Sequence, residues 1–140
     1  MKTIGLVPEL YVSDLQKTLS FYLDILGFEI LFERPEEKFA YLQRENAQMM
    51  LEQIGATRNW MTAQPSYPLG VGISFQIQTE AVDELCATVK KNNIPLFLDI
   101  EEKWYCQDDI EVGNRQFLIQ DPDGYLLRFY QDLGSKREQK

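Results

Sequence analysis

The stretch QFLIQDPDGYLLRFYQ, residues 116–131, predicts a tight turn followed by a strand. Asp121-Pro122-Asp123-Gly124 suits a type I turn, in which Asp at the first position, Pro at the second and Gly at the fourth are favoured. Such a turn fixes the register of the strand that follows it. Arg128 stands in that strand among leucine and aromatic residues, where a charge is costly unless it is paired or reaches water.

Outward from this hairpin, the chain repeats one order of elements. Period-two alternation predicts strands, and capping residues followed by an apolar stripe predict helices. The first set comprises a strand at 7–12, a helix that begins at Ser13 or Asp14 and ends at Gly27, and strands at 28–33, 38–43 and 48–53. The second set comprises a strand at 72–78, a helix from Thr79 or Glu80 to about 92–93, strands at 94–100 and 104–107, and the hairpin at 116–131.

The repeated unit predicts an α+β fold of two paired βαβββ modules. Each sheet would be covered by its helix on the apolar face, and the other faces would form a concave cavity. We expect a single domain over 1–133, with module one at about 1–54, a Pro- and Gly-containing connector at about 55–70 and module two at about 71–133. Residues 134–140 are predicted to be a polar tail.

Composition narrows the possible functions. The chain of 140 residues has 14 Lys and Arg against 22 Asp and Glu, a formal net charge of -8, and no histidine. An acidic protein is a poor partner for nucleic acid or an anionic membrane, so we expect neither. Without histidine, Ser-His-Asp and Cys-His machinery and histidine-based metal sites are excluded. The two cysteines lack CxxC spacing and are expected to remain thiols in a cytoplasmic protein, and Cys86, which lies within a helical pattern, is expected to be packed.

The segments VPELYVSDLQKTLSFYLDILGFEILFERPEEKFAYLQRENAQMMLEQ and RQFLIQDPDGYLLRFYQDLG carry a resemblance to a known family. They resemble the vicinal oxygen chelate superfamily (glyoxalase I, extradiol dioxygenases, fosfomycin-resistance enzymes), and the bleomycin-resistance branch most. This resemblance implies the glyoxalase/bleomycin-resistance fold and a cytoplasmic homodimer that holds a small molecule in grooves.

Metal-dependent members of that superfamily hold one divalent ion with four His or Glu side chains. The matching positions are Val7, Glu52, Gly72 and Arg128. Only Glu52 can ligate, since Val7 and Gly72 have no donor and Arg128 is permanently cationic. The resemblance therefore implies no metal and no other cofactor here. Arg128 is predicted to take the place of the ion and to pair with Glu52 or Glu9, or else to reach solvent at the cavity mouth.

Alternation and the resemblance together predict the ligand-binding residues. The set mixes aromatic, thioether and hydrogen-bonding groups, which is typical of a small-molecule cleft. It comprises Glu9, Tyr11, Met50, Glu52, Trp60, Ser74, Gln76, Trp104, Tyr105, Arg128 and Tyr130. For the individual aromatic residues, core packing or a dimer contact is the competing interpretation. Glu101, Glu102, Asp108, Asp109 and Glu111 form an acidic run, which is typical of a solvated face and is also compatible with attraction of a cationic ligand.

The sequence leaves three functions open. The first is a non-catalytic protein that sequesters a cationic or aromatic small molecule, bleomycin-like in character. The second is a metal-dependent lyase or dioxygenase, against which three of the four ligand positions argue. The third is a metal-free enzyme with Glu9 or Glu52 as general base, which a raised carboxylate pKa in the cavity would favour.

Overall fold

A computed structural model describes residues 4–137 as two compact units. Unit 1 contains the chain up to Leu69 together with Pro122–Gly124, and unit 2 contains Gly70–Asp121 and the chain from Tyr125 onward. The division falls at the end of the predicted connector. Each unit contains one four-stranded sheet.

Unit 1 has the predicted βαβββ order. Its elements are β1 (Glu9–Val12), α1 (Leu15–Ser20) continued by a π-helical turn (Phe21–Ile25), β2 (Glu29–Arg34), a 3-10 turn (Pro35–Glu37), β3 (Phe39–Arg44) and β4 (Ala47–Gln53). The strand order is β1-β4-β3-β2, with β1 parallel to β4 and the other pairs antiparallel. Asp14 is the N-cap of α1, and its carboxylate accepts a hydrogen bond from Lys17 N at 3.2 Å.

One face of this sheet and the helical segment form the core of unit 1. Alternate residues of the strands, Leu10, Val12, Ala40, Leu42 and Leu51, are buried together with Leu15, Leu19, Tyr22 and Leu26. The strand residues that alternate with these lie on the other face, which we call the open face of unit 1.

Unit 2 repeats the order with longer strands. Its elements are β5 (Ser74–Gln78), α2 (Val82–Lys91), β6 (Leu96–Gln107), β7 (Ile110–Gln120) and β8 (Leu126–Arg137), in the sheet order β5-β8-β7-β6. One face is buried together with α2, through Ile77, Phe117, Ile119, Leu127, Phe129, Val82, Leu85, Cys86 and Val89. The opposite face is the open face of unit 2. The predicted α+β fold of two βαβββ modules is confirmed.

Three details of unit 2 differ from the sequence prediction. The segments 94–100 and 104–107 belong to a single strand, β6, because register shifts between Leu96 and Glu101 absorb the break in alternation. The helix begins later than predicted, with Ala81 at the N-cap. Residues 134–137 of the predicted tail are the end of β8, paired with β7, while 138–140 lie outside the described residues.

The Asp-Pro-Asp-Gly turn has one buried carboxylate in each unit. In unit 2, Asp121 accepts a hydrogen bond from Tyr125 N at 3.0 Å, which closes the turn. In unit 1, Asp123 accepts one from Ser13 N at 3.0 Å, at the start of the helical segment, and its own carbonyl accepts one from Leu69 N at 2.9 Å. The box therefore does more than set the register of β8. Among residues 4–137, no helix has the length and apolar character needed to cross a bilayer.

Candidate ligand-binding site

The open face of unit 1 carries two rows of side chains across the four strands. Strand register places Glu9, Met50, Tyr41 and Phe32 in one row, and Tyr11, Glu52, Phe39 and Arg34 in the next. The rings are close enough to interact: Phe32 stacks on Tyr41 with centroids 4.9 Å apart, and it lies 6.0 Å from Phe39.

These rows form the floor of a cavity of about 570 Å³. Its lining consists of Glu9, Tyr11, Phe32, Arg34, Phe39, Tyr41, Met50, Arg58 and Trp60. Both the volume and the mainly aromatic lining are usual for pockets that hold drug-sized molecules.

A short segment after β4, Thr57–Trp60, covers part of this floor, and we call it the strap. Tyr11 holds it through one hydroxyl, which donates to Arg58 O at 3.0 Å and accepts from Trp60 N at 3.1 Å. Thr57 adds a hydrogen bond from its hydroxyl to Glu52 Oε2 at 3.0 Å. The strap therefore carries Trp60, which is 64% exposed, to the edge of the cavity.

Each of the two cations that line the cavity lies over an aromatic ring. The Arg58 guanidinium is 3.6 Å from the centroid of the Trp60 ring, and that of Arg34 is 4.0 Å from the centroid of Phe39. Arg34 also makes an ion pair with Glu37.

The two acids on the floor differ in surroundings. Glu52 is only 4% exposed and is held by Thr57. Burial and then the nearby Glu52 carboxylate raise the pKa of Glu9, against the opposing influence of Arg58 and Arg34. The pKa of Glu9 therefore lies above its ordinary value.

The open face of unit 2 is polar. Parallel pairing of β5 with β8 sets Ser74 beside Leu126, Gln76 beside Arg128 and Gln78 beside Tyr130. The Arg128 guanidinium donates through one terminal nitrogen to Gln76 Oε1. The predicted pairing of Arg128 with Glu52 or Glu9 stays a prediction, since those carboxylates belong to unit 1.

Gln116 in the middle of β7 extends this polar face. Its Nε2 donates to Glu101 Oε1 at 3.0 Å and to Tyr105 Oη at 3.2 Å. Trp104, next to Tyr105 in β6, points to the opposite face because strand side chains alternate. There its ring lies against Gly113 of β7, and Lys136 Nζ is 4.2 Å from the ring centroid.

The structure thus divides the predicted ligand-binding residues between the two units. Glu9, Tyr11, Met50 and Trp60 line one cavity, with Glu52 in the adjoining row. Ser74, Gln76, Arg128 and Tyr130 share the open face of unit 2, and Tyr105 joins it through Gln116. Trp104 lies apart from both groups. A ligand-binding role for each residue stays a prediction.

Several lining residues were missed in the sequence: Phe32, Arg34, Phe39, Tyr41, Arg58 and, in unit 2, Gln116. Period-two alternation could have found Phe32 with Arg34 and Phe39 with Tyr41, since each pair shares a strand face. No local signal marks Arg58, which reaches the cavity only because the strap folds back. Part of the acidic run forms ion pairs within unit 2, Glu102 with Arg115 at 3.6 Å and Glu111 with Lys136 at 3.9 Å.

The positions that would hold a metal in related enzymes do not fit one here. Val7 and Gly72 offer no donor atom, and a guanidinium at Arg128 repels a cation. In addition, no group of three or more His, Cys, Asp or Glu side chains within residues 4–137 could hold a metal ion. We therefore derive no chemistry through a metal.

Comparison with known proteins identifies the family. Residues 6–129 match the model of the glyoxalase/bleomycin resistance protein/dioxygenase superfamily. The chain belongs to this superfamily. This confirms the resemblance seen in the sequence.

Individual known proteins match nearly the whole chain. A bleomycin resistance protein of Geobacillus stearothermophilus is 27% identical over 142 residues, covering 92% of this chain and 97% of its own. The crystal structure of TioX from Micromonospora sp. ML1 matches with a TM-score of 0.70 at 18% identity, covering 92% of this chain and 99% of its own. A lactoylglutathione lyase from Agrobacterium tumefaciens matches with a TM-score of 0.61 at 18% identity, covering 94% and 96%. The two structures establish the shared fold.

Proposed function

We propose that this protein binds a flat aromatic, drug-like small molecule in the unit 1 cavity and holds it without metal and without chemical conversion. The observation that carries the proposal is the cavity of about 570 Å³ whose lining is mainly aromatic. The similarity to bleomycin resistance proteins supports the same function. A bleomycin-like molecule is the first ligand to test.

The cavity favours aromatic character more strongly than charge. The lining carries one acid, Glu9, and two cations, Arg34 and Arg58, and the buried Glu52 lies in the adjoining strand row. Tyr41 and Phe32 offer stacked rings below, and Trp60 offers one at the edge. A cationic ligand would be attracted instead by the net charge of -8 of the whole chain. Its affinity would then decrease as salt is added.

The proposal includes a cytoplasmic homodimer. The resemblance to the bleomycin-resistance branch implies such a pairing of two chains. Sedimentation of the purified protein tests this part of the proposal, and a monomer over the full concentration range would contradict it.

The chain offers a matched pair of reporters for the binding test, because it has only two tryptophans, Trp60 and Trp104. Trp104→Phe leaves the cavity reporter, and Trp60→Phe leaves a reporter on the far face of unit 2. We expect metal-free bleomycin, added to chelator-treated protein, to change the emission of Trp104→Phe saturably while Trp60→Phe emission stays constant. Heat of binding without any change in Trp60 emission would contradict a cavity site, and no binding would remove bleomycin as the ligand.

A second function is favoured by the raised pKa of Glu9. A carboxylate with a raised pKa, beside an aromatic cavity, is a suitable general base for removing a proton from a bound carbon or oxygen acid. Under this alternative, Glu9→Gln would abolish turnover of a bound compound while preserving its affinity. Recovery of unchanged ligand after prolonged incubation with the unsubstituted protein would rule the alternative out for that compound.

A further inference from the structure

Two of the three charged groups that line the unit 1 cavity have no charged partner. The third, Arg34, makes an ion pair with Glu37, which lies outside the lining. Within residues 4–137, the side chains of Glu9 and Arg58 make no ion pair and no hydrogen bond, either with each other or with another residue. One free acid and one free base therefore line the same cavity.

Glu9 has the less favourable surroundings of the two. It is partly buried, and burial and then the Glu52 carboxylate raise its pKa, whereas the opposing influence of Arg58 is smaller. A carboxylate that loses part of its water without gaining a hydrogen bond carries a desolvation cost. A cationic donor on a bound ligand would remove this cost.

Arg58 is exposed, but the backbone that carries it is fixed on β1. The Tyr11 hydroxyl donates to Arg58 O at 3.0 Å and accepts from Trp60 N at 3.1 Å. The guanidinium lies 3.6 Å from the centroid of the Trp60 ring. Arginine can stack on a ring and bind a carboxylate with its planar set of N–H groups. Arg58 is therefore placed to bind an anionic group beside an aromatic surface.

The two free charges are attached close together in unit 1. Glu9 and Tyr11 are alternate residues of β1 on one face, so their Cα atoms are about 7 Å apart, and Tyr11 anchors the backbone of Arg58. Long side chains that start so near each other can contact the same small molecule. The stacked rings of Phe32 and Tyr41 line the same cavity.

We propose that the unit 1 cavity selects aromatic compounds that carry both a cationic and an anionic group, such as aromatic amino acids and their derivatives. The ligand ammonium binds the Glu9 carboxylate, the ligand carboxylate binds the Arg58 guanidinium, and the ring packs against the aromatic lining. This inference names the ligand class of the cavity and therefore rests on the function proposed above.

A ligand with fewer charges leaves at least one of the two groups unsatisfied. An amine alone would pair with Glu9 but would bring a second positive charge toward Arg58. An acid alone would pair with Arg58 and approach the Glu9 carboxylate. A neutral ring would displace water from both groups, and covering an unpaired charge costs more than covering a paired one. A ligand with both charges satisfies both groups.

The test compares five small ligands that share a phenyl ring. At neutral pH, L-phenylalanine and β-phenylalanine carry both charges at two different spacings, phenylethylamine carries only the cation, hydrocinnamate only the anion, and hydrocinnamamide neither. Each is titrated at constant ionic strength into the Trp104→Phe protein, in which Trp60 is the reporter. Titration should reach about 50 mM, above the millimolar dissociation constants expected of such small ligands. We expect one or both of the doubly charged ligands to bind at least about tenfold more tightly than each of the other three.

Two variants assign each ligand charge to its partner. Arg58→Gln should weaken the doubly charged ligand and hydrocinnamate about tenfold and leave phenylethylamine unchanged, and Glu9→Gln should weaken the doubly charged ligand and phenylethylamine and leave hydrocinnamate unchanged. Lys17→Gln and Glu29→Gln alter the net charge by the same amounts at exposed positions outside the cavity, and should change every affinity by less than about twofold. The comparison of the five ligands needs neither charge variant and stands even if Glu9→Gln does not fold.

Three results would overturn the proposal. If hydrocinnamamide bound as tightly as the doubly charged ligands, the cavity would take aromatic molecules, as proposed above, without selecting them by charge. If phenylethylamine or hydrocinnamate bound most tightly, a single charge would govern selection. If bleomycin changed Trp60 emission and none of the five ligands did, the cavity would bind a ligand of another class. Failure of bleomycin and of all five ligands would contradict the proposed function as well.

Discussion

At the scale of single residues, buried acids are the most informative side chains of unit 1. Glu52 is enclosed and bonded to Thr57, Asp123 is enclosed and bonded to Ser13 N, and Glu9 is part-buried beside Glu52. Carboxylates thus have three roles here: Glu52 is part of the cavity floor, Asp123 accepts a hydrogen bond that ties the turn to the helical segment, and Glu9 has a raised pKa. Surroundings, and not identity, decide which role each carboxylate has.

Glu9→Gln should stabilise the protein at neutral pH. The folded-state pKa of Glu9 lies above its ordinary value of 4.5, so ionised Glu9 destabilises the folded state once the pH exceeds that range. Well below pH 4.5 the carboxyl is protonated in both states, and the advantage of the variant should disappear. Thermal unfolding across this pH range measures the difference in stability between the variant and the unsubstituted protein. Glu29→Gln, a change at an exposed position, is the control. A variant that is less stable at neutral pH would contradict the raised pKa.

Asp123→Ala should destabilise unit 1. The change removes a part-buried hydrogen bond that Ser13 N donates to a carboxylate, which costs about 1–3 kcal/mol. The matched control is Asp132→Ala, which removes an exposed side chain that accepts from Gly134 N and should change the free energy of unfolding by less than about 0.5 kcal/mol. Denaturant unfolding followed through Trp60 gives both values, and equal effects of the two changes would be contrary to the structure.

At the scale of elements, the strap depends on β1 through a single hydroxyl. Tyr11 both donates to and accepts from the backbone on either side of Asn59. The rest of the segment between β4 and β5 has no helix or strand of its own. Tyr11 therefore contributes to the position of Trp60 at the cavity, together with the hydrogen bond from Thr57 to Glu52.

Tyr11→Phe should loosen the strap while leaving the sheet intact. In a Trp104→Phe background, we expect lower fluorescence anisotropy from Trp60 and affinity for an aromatic ligand reduced about fivefold, equivalent to about 1 kcal/mol for the lost hydrogen bonds. Tyr41→Phe is the matched control, because Tyr41 lines the same cavity but donates to Gln48 at 2.7 Å. If Tyr41→Phe lowered the Trp60 anisotropy and Tyr11→Phe did not, the strap would not be held by Tyr11.

At the scale of the whole molecule, each unit has a separate apolar core beneath its own helical segment. Cys86 belongs to the core of unit 2 and is 2% exposed, whereas Cys106 lies exposed on β6. The prediction that Cys86 is a packed helical thiol is confirmed. Burial also raises the pKa of Cys86, which disfavours its reactive thiolate.

Thiol counting should therefore distinguish folded from unfolded protein. We expect a disulfide reagent to modify Cys106 rapidly in the native state and to modify Cys86 only after denaturant is added. Cys106→Ser should show no rapid reaction under native conditions. Two rapidly reacting thiols in the unsubstituted protein would show that the packing of α2 against its sheet does not protect Cys86.

The sequence by itself determined the repeated βαβββ order, the turn at residues 121–124, the buried thiol and the absence of a histidine-based site. Each of these follows from periodicity, turn chemistry or residue type, which act over a few neighbouring positions. Only the tertiary structure joined β6 into one strand, brought Arg58 and Trp60 over β1 and placed Asp123 at the start of α1. These features depend on strand register and on contacts between residues up to 110 positions apart, such as Ser13 and Asp123, which local patterns do not encode.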